Sequence, residues 1–197
     1  MKKIAIILLL ALQLMSCAFP TYVSIDRKIK TGLDFHNGKW LLNTIDAPYS
    51  TDDKLTKTVI KDFTKHLKSN LNYLPKTRGV LLPGNIPLNP NRKEISDLKT
   101  GSNFDYFINI KATVVKEQIG IIDFNTHNSP NSEYRNEVKV IVEIYDLNSL
   151  EIIYSNTING SVQIVQNSND FYIAKTTNGL ILGAYKKIMK DINRKTI

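Results

Sequence analysis

The sequence of 197 residues predicts an α+β fold, a two-layer sandwich. In this fold two long helices and one short helix cover one face of a mixed, mostly antiparallel sheet of about five strands. Three observations predict it. Two long segments repeat apolar residues at helical spacing, and two others alternate apolar and polar residues as half-buried strands do. The patterns follow one another in the order strand, helix, strand, short helix, three strands, helix.

The first half of the domain is predicted to contain a strand, a long helix and a second strand. Residues 39–45 form the first strand, which a turn at 46–48 closes. A helix over 51–72 follows, with Ser50 or Thr51 as its N-cap. Its apolar face repeats every four residues: Leu55, Val59, Phe63, Leu67 and Leu71. Residues 80–82 are a short strand that Pro83 and Gly84 stop, and the proline-containing stretch that follows is a loop.

The second half is predicted to contain a short helix, three strands and a final helix. Asn91 caps the short helix over 91–99, and Gly101 ends it. Strands follow over 104–115, 134–145 and 151–165, with a polar loop at 123–133 and a tight turn at 146–149. The last strand is expected to bend or bulge near Gly160. The final helix spans 170–193, with Ser168 or Asn169 as its cap.

The amino terminus has the pattern of an export signal. Lys2 and Lys3 precede an apolar run over 4–12, which is too short to span a bilayer, since spanning needs about 20 residues. The segment Leu14-Met15-Ser16-Cys17 then resembles the lipobox of bacterial lipoproteins, which are cut before a lipid-modified cysteine. We therefore expect a signal peptide over 1–16, a lipidated tether over 17–36 and a single periplasmic domain over 37–197. The alternative is a secreted protein with an incidental cysteine.

The mature chain is expected to be moderately basic and free of disulfides. Cys17 is the only cysteine, so no internal disulfide can form. Cleavage leaves 181 residues, with 24 basic side chains against 18 acidic ones. This balance favours anionic partners such as lipid headgroups or acidic glycan. It does not indicate nucleic-acid binding, because stacking aromatics do not alternate with the lysines. In lipoproteins an Asp after the cysteine favours the inner membrane; Ala18 and Phe19 follow here, which predicts the periplasmic face of the outer membrane.

Local patterns in the second half resemble a known group of lipoproteins. They are Asp105-Tyr106 at the entry to a strand, Tyr145-Asp146 before a turn, and Gly160 near the end of the next strand. Over roughly 39–193 the chain resembles periplasmic lipoproteins with a fold like the TolB amino-terminal domain, among them the activators of peptidoglycan synthases and the curli-secretion lipoprotein. The resemblance implies the fold and an envelope adaptor, and it transfers no site residue. The long amphipathic hairpins of the curli pore have no counterpart here.

The chain shows no recognisable catalytic or metal-binding pattern. His36, His66 and His127 lack ligand partners at a suitable spacing, so we expect no metal and no cofactor. Serine-nucleophile and phosphate-loop motifs are also missing. We therefore expect a non-catalytic adaptor for an envelope protein whose identity the sequence does not reveal. The alternative is a hydrolase of cell wall or glycan, whose two carboxylates would converge only in the folded chain.

The strongest binding signal is a lysine stripe on the first helix. It consists of five residues within an arc of roughly 80°, opposite the apolar face: Lys54, Lys57, Lys61, Lys65 and Lys68. Only Asp62 borders the stripe, so little negative charge neutralises it, and the stripe can contact anionic lipid or glycan. The alternative is a solvated helix face. The final helix repeats the pattern with Lys186, Lys187, Lys190 and Arg194, where the helix dipole alone favours cations.

Two further features have a structural and a functional interpretation. Gly179 and Gly183, four residues apart on the final helix, let it sit close to its own sheet or to a partner helix. Trp40 is expected in the core, with an anchor for a partner as the alternative.

Overall fold

The computed structural model describes residues 18–29, 32–79, 82–119, 132–166 and 174–196 and confirms the α+β fold. The signal peptide, Cys17, His127, Ser168 and Asn169 lie outside these ranges, as do most of the strand predicted at 80–82 and of the loop at 123–133. The elements are β1 (Thr21–Ile29), β2 (Trp40–Leu42), α1 (Tyr49–Leu67), β3 (Leu71–Tyr73), α2 (Arg92–Ser102), β4 (Tyr106–Glu117), β5 (Ser132–Asp146), β6 (Glu151–Gln166) and α3 (Thr177–Lys195). Single 3₁₀ turns span Lys68–Asn70 and Leu74–Lys76.

The described strands form one six-stranded mixed sheet in the order β1-β6-β5-β4-β2-β3. The pairs β1–β6, β6–β5 and β5–β4 are antiparallel, whereas β2 runs parallel to both β4 and β3. The long strands β5 and β6 are joined by a turn in which Leu150 adopts a left-handed conformation with φ 58°. Both outer strands, β1 and β3, leave one backbone edge unpaired within this sheet.

The long helices cover one face of the sheet, as the amphipathic patterns predict. The apolar face of α1 is buried at Leu55, Val59, Phe63 and Leu67, and that of α3 at Ile181, Ala184, Ile188 and Ile192. They pack on the inward residues of the central strands, such as Ile108, Val140 and Val142. Trp40 is fully buried in this core, where its ring stacks on Tyr106 at 4.2 Å between centroids, which confirms the core interpretation.

The short helix α2 lies on the opposite face of the sheet, so the prediction of all helices on one face is wrong. Its buried residues Ile95 and Leu98 form a second core with Leu41, Phe107 and Tyr145. Neighbouring residues on a strand point to opposite faces, so Phe107 and Ile108 belong to different cores. Apolar residues on both faces of β4 therefore need cover on both sides, and α2 supplies it on the second.

The predicted tether is largely folded. Residues 21–29 form the edge strand β1, paired along its length with β6. Leu33 and Phe35 are buried in the main core. Most side chains of β1 are exposed, so the segment lacks the apolar alternation that marks a strand. Its place comes from backbone hydrogen bonds to β6, which a local pattern cannot show.

Several element ends differ from prediction because a tertiary contact competes with the local signal. Ser50 and Thr51 do not cap α1, because both hydroxyls hydrogen-bond the side chain of Asn178 on α3. The first helix also stops at Leu67, and residues 71–73 form the unpredicted strand β3 beside β2. The cap of α3 is Thr176, whose side chain accepts a hydrogen bond from the amide of Gly179.

The ends of α2 match the predicted start but not the predicted stop. Asn91 and Glu94 form a complete capping box, in which each side chain accepts a hydrogen bond from the other residue's backbone amide. Gly101 lies inside the helix, which ends at Ser102, and the C-cap residue Asn103 adopts the left-handed conformation. Asparagine tolerates that conformation better than most residues, so it can replace glycine after a helix.

Two glycines on different elements, Gly160 and Gly183, hold one tyrosine ring between them. The ring of Tyr22 on β1 lies between Gly160 of β6 and Gly183 of α3, and a Cβ on Gly160 would be 3.0 Å from it. Neither ladder of β6 shifts register at Gly160 itself, so no bulge lies at this residue; the register shifts lie between Ile144 and Tyr145 on β5 and between Ser24 and Asp26 on β1. Gly183 thus lets α3 pack closely on its own sheet.

None of the helices in the described ranges is both long and apolar enough to cross a membrane.

Candidate functional site

A basic groove runs between β1 and α3 at the edge of the sheet, with a volume of about 560 Å³. Its polar lining includes one carboxylate, that of Asp191, and five cationic side chains: Arg27, Lys186, Lys187, Lys190 and Arg194. Four of the cations come from α3 and one from the strand that opens the sheet. The groove therefore concentrates positive charge at a concave surface, where a multiply charged anion can contact several cations at once.

The periodicity of α3 and a bulge in β1 bring these cations together. Lys186, Lys190 and Arg194 are four residues apart, so they form one exposed ridge beside the buried face of α3. On β1 the register shifts between Ser24 and Asp26. The shift turns Arg27 to the helix side of the strand, where its guanidinium meets Asp191 of α3.

A network around Asp191 fixes the floor of the groove. Its Oδ1 accepts a hydrogen bond from Nη2 of Arg27 at 2.6 Å, and its Oδ2 accepts one each from Tyr154 Oη at 3.2 Å and Asn156 Nδ2 at 3.3 Å. Burial raises the pKa of Tyr154, so its phenol stays protonated and donates. Arg27 is thereby held in one geometry before any ligand arrives, which lowers the entropy cost of binding.

Of the four remaining cations, one donates a hydrogen bond among the described residues and three do not. Nζ of Lys187 donates to the backbone oxygen of Tyr22 at 2.6 Å and so ties α3 to β1. The side chains of Lys186, Lys190 and Arg194 are exposed and contact no hydrogen-bond or ion-pair partner in the part of the chain that the structure describes. Their charge is therefore available to an anionic ligand.

The lysine stripe on α1 is more neutralised than its sequence suggests. All five lysines are exposed, but Lys57 pairs with Asp53 at 2.6 Å and Lys65 with Asp62 at 2.9 Å. The expectation that Asp62 alone borders the stripe is wrong, because Asp53 lies one helical turn before Lys57. Lys54, Lys61 and Lys68 keep no ion pair among the described residues, and Lys68 already belongs to the 3₁₀ turn. The stripe is a convex ridge, whereas the groove is concave.

The described histidines have structural contacts. His36 Nδ1 lies 3.0 Å from Asp34 Oδ1, and hydrogen bonds from its backbone amide and its ring lower the pKa of Asp34. His66 Nε2 lies 2.9 Å from Asn193 Oδ1, and its ring packs on Phe35 with centroids 5.0 Å apart. Within the described ranges no three His, Cys, Asp or Glu side chains cluster as metal ligands would.

The buried carboxylate of Glu143 secures a loop. It accepts hydrogen bonds from Tyr145 Oη at 2.8 Å and from the backbone amide of Asn89 at 3.2 Å. Beside it, the buried side chains of Asn43 and Asn109 both donate to the backbone oxygen of Ile86. These contacts hold the proline-containing loop against the sheet. Sequence reasoning missed this polar cluster, because Asn43, Asn109 and Glu143 come from three distant parts of the chain.

Comparisons with known proteins find likeness only among solved structures. No family model and no curated protein matches the sequence. A PelC dodecamer from Paraburkholderia phytofirmans is 10% identical, with 91% of this chain and 99% of that chain covered and a TM-score of 0.41. The lipoprotein GNA1162 from Neisseria meningitidis is 11% identical, with 80% and 99% covered and a TM-score of 0.40. At such identities and TM-scores, these likenesses carry no argument about ligand, partner or activity.

Proposed function

We propose that the chain is a lipid-anchored protein of the bacterial envelope, attached through Cys17, and that it acts as a non-catalytic binding module. The β1–α3 groove is its docking site for an anionic partner. The observation that carries this proposal is the set of three exposed cations on α3 that have no ion pair among the described residues, next to an arginine that Asp191 holds in place. Exposed cations in a groove attract and orient an anion, and they catalyse nothing by themselves.

The anchor is tested by replacing the cysteine. Cells that produce wild-type protein or Cys17→Ser are labelled with a fatty-acid analogue and fractionated. Wild-type protein should carry label and sediment with outer membrane in a density gradient, whereas Cys17→Ser should be unlabelled and released. Intact cells should protect the wild type from added protease if it faces the periplasm. Label on the variant, or recovery in the inner-membrane band, would contradict the anchor or the location respectively.

Docking is tested by comparing two charge reversals of equal size. Three groove cations are changed together (Lys186→Glu, Lys190→Glu and Arg194→Glu), and a matched control changes three stripe lysines (Lys54→Glu, Lys61→Glu and Lys68→Glu). Both variants are crosslinked in cells next to the wild type, and the captured molecules are compared. We expect the groove variant alone to lose its crosslinked partners. If both variants capture the same molecules as the wild type, lipids as well as proteins, the groove is not the docking site.

A further inference from the structure

The chain between the proposed anchor and the sheet is very short. This inference rests on the lipid at Cys17. Strand β1 begins at Thr21, four residues later, so the first paired residue lies at most about 14 Å from the anchor. The headgroup layer on each side of a bilayer is itself about 5–8 Å thick. With 17–36 no longer a tether, the start of β1 must lie close to the membrane surface.

Exposed apolar side chains concentrate at this end of the chain. The structure leaves five large hydrophobic side chains exposed among the described residues, and three of them follow Cys17 within eight positions. Phe19 is 81% exposed, Val23 57% and Ile25 52%. Aromatic and aliphatic side chains beside a lipid anchor are those that insert at the boundary of headgroups and acyl chains.

The groove lies along the same edge. Because β1 is the outermost strand, one of its backbone edges is unpaired within the sheet, and the groove cations lie on its helix side. Val23 alternates with Tyr22 and Ser24, so it projects on the other side of the strand. The edge thus has apolar groups on one side and cations on the other.

A protein strand is a poor occupant of this edge. The bulge between Ser24 and Asp26 interrupts the regular ladder, and the charged run Asp26-Arg27-Lys28 follows it. Bulges and charges are the features that protect edge strands from pairing with other chains. An anionic lipid surface needs no ladder, and it matches both the cations and the exposed apolar residues.

From these observations we infer that the domain lies on its own membrane along the β1 edge. Phe19, Val23 and Ile25 enter the interface, and the groove cations bind the phosphates of anionic headgroups. The proposed anionic partner of the groove is then the membrane that holds the anchor. Lys187 contributes least, because its ammonium is occupied by the backbone oxygen of Tyr22.

Lysine labelling in liposomes tests this orientation. The full lipidated chain is reconstituted into anionic phosphatidylglycerol liposomes or neutral phosphatidylcholine liposomes and treated with a water-soluble amine reagent, and each lysine is quantified by mass spectrometry. We expect Lys186 and Lys190 to react several-fold more slowly in anionic than in neutral liposomes. Lys54 and Lys61, which are also exposed on a helix and form no ion pair within the described ranges, should react equally in both. The protection should vanish at about 1 M salt, where the Debye length falls to about 3 Å.

A fluorescence experiment tests whether the exposed apolar side chains of the β1 edge enter the membrane. Ile25→Trp and a control, Ser149→Trp in the turn at the opposite end of β5 and β6, are placed in liposomes with brominated lipid. Trp40, the only native tryptophan, is buried and gives a background that the wild type measures. Quenching is expected for Ile25→Trp alone.

The outcomes separate this inference from the proposed function. Intact mass reports whether Cys17 carries lipid, and a chain without lipid overturns the anchor and this inference together. If the lipid is present, equal reactivity of Lys186 and Lys190 in both liposomes overturns headgroup binding. Equal quenching of the two tryptophan variants overturns the edge-on orientation. In either case the anchor stands, and the crosslinking comparison still decides the groove.

Discussion

One added methyl group at Gly183 tests how β1 is held against α3. The ring of Tyr22 lies directly over this glycine, and a Cβ there would overlap the phenolic oxygen and lie 2.9 Å from Cε1. The ring cannot retreat easily, because on its other side it already contacts Gly160. Gly183→Ala therefore displaces the ring of Tyr22 or separates β1 from α3.

Two opposing effects set the size of the change. Alanine has the better helix propensity, which by itself would stabilise α3 by about 0.8–1 kcal/mol. Overpacking of a well-filled site costs about 1–3 kcal/mol, and the upper half of that range applies where the displaced group has no free space. The free energy of unfolding should thus fall by about 1–2 kcal/mol. For a chain of this size that lowers Tm by roughly 2–8 °C.

Thermal and urea unfolding of the purified full chain, followed by circular dichroism, measure this change. Gly179→Ala is the matched control, because it lies on the same helix and its added Cβ meets the flexible side chain of Lys175. It should leave Tm unchanged or slightly higher. Adding Tyr22→Phe to Gly183→Ala removes the overlapping oxygen and should recover part of the loss. If Gly183→Ala alone melts at or above the wild-type temperature, the ring of Tyr22 does not pack against Gly183 of α3.

Three further predictions concern the second core and the titrating groups. Asn91→Ala removes the side-chain acceptor of the α2 capping box and should lower the free energy of unfolding by about 1 kcal/mol in urea titration; an unchanged midpoint would contradict it. Hydrogen bonds from a backbone amide and an ammonium group lower the pKa of Asp105, so its contribution to stability is present at neutral pH and is lost as the pH falls below about 4. In an acid melting series Asp105→Asn should therefore lose less stability than the wild type, and parallel losses would exclude this role. Burial raises the pKa of Tyr145, Tyr154 and Tyr185, so stability should fall as the pH rises above about 10, the unfolded value. Tyrosinate absorbance should then report their ionisation only as the fold is lost, and complete ionisation of all tyrosines with an unchanged circular dichroism spectrum would refute it.

The elements that the sequence predicted are those with a strong local period. The apolar faces of α1 and α3 and the alternation along β4 and β5 depend on neighbours within a few positions, so they are readable without the fold. The capping box of α2 is equally local, since Asn91 and Glu94 are three residues apart. Together these patterns were sufficient for the α+β class and for the cationic ridge on α3. The lipid at Cys17 stays a prediction.

Only the tertiary structure decided where these elements meet. Strand β1 has too many exposed side chains to show a period, and its position depends on backbone pairing with β6, more than a hundred residues away. The apolar face of α2 predicts burial but cannot specify a face of the sheet; Leu41, Phe107 and Tyr145 decide it. Arg27 and Asp191 are 164 positions apart, so the groove does not exist as a sequence pattern. Local periodicity determines which side of an element is buried, whereas the pairing of distant strands determines what that side meets.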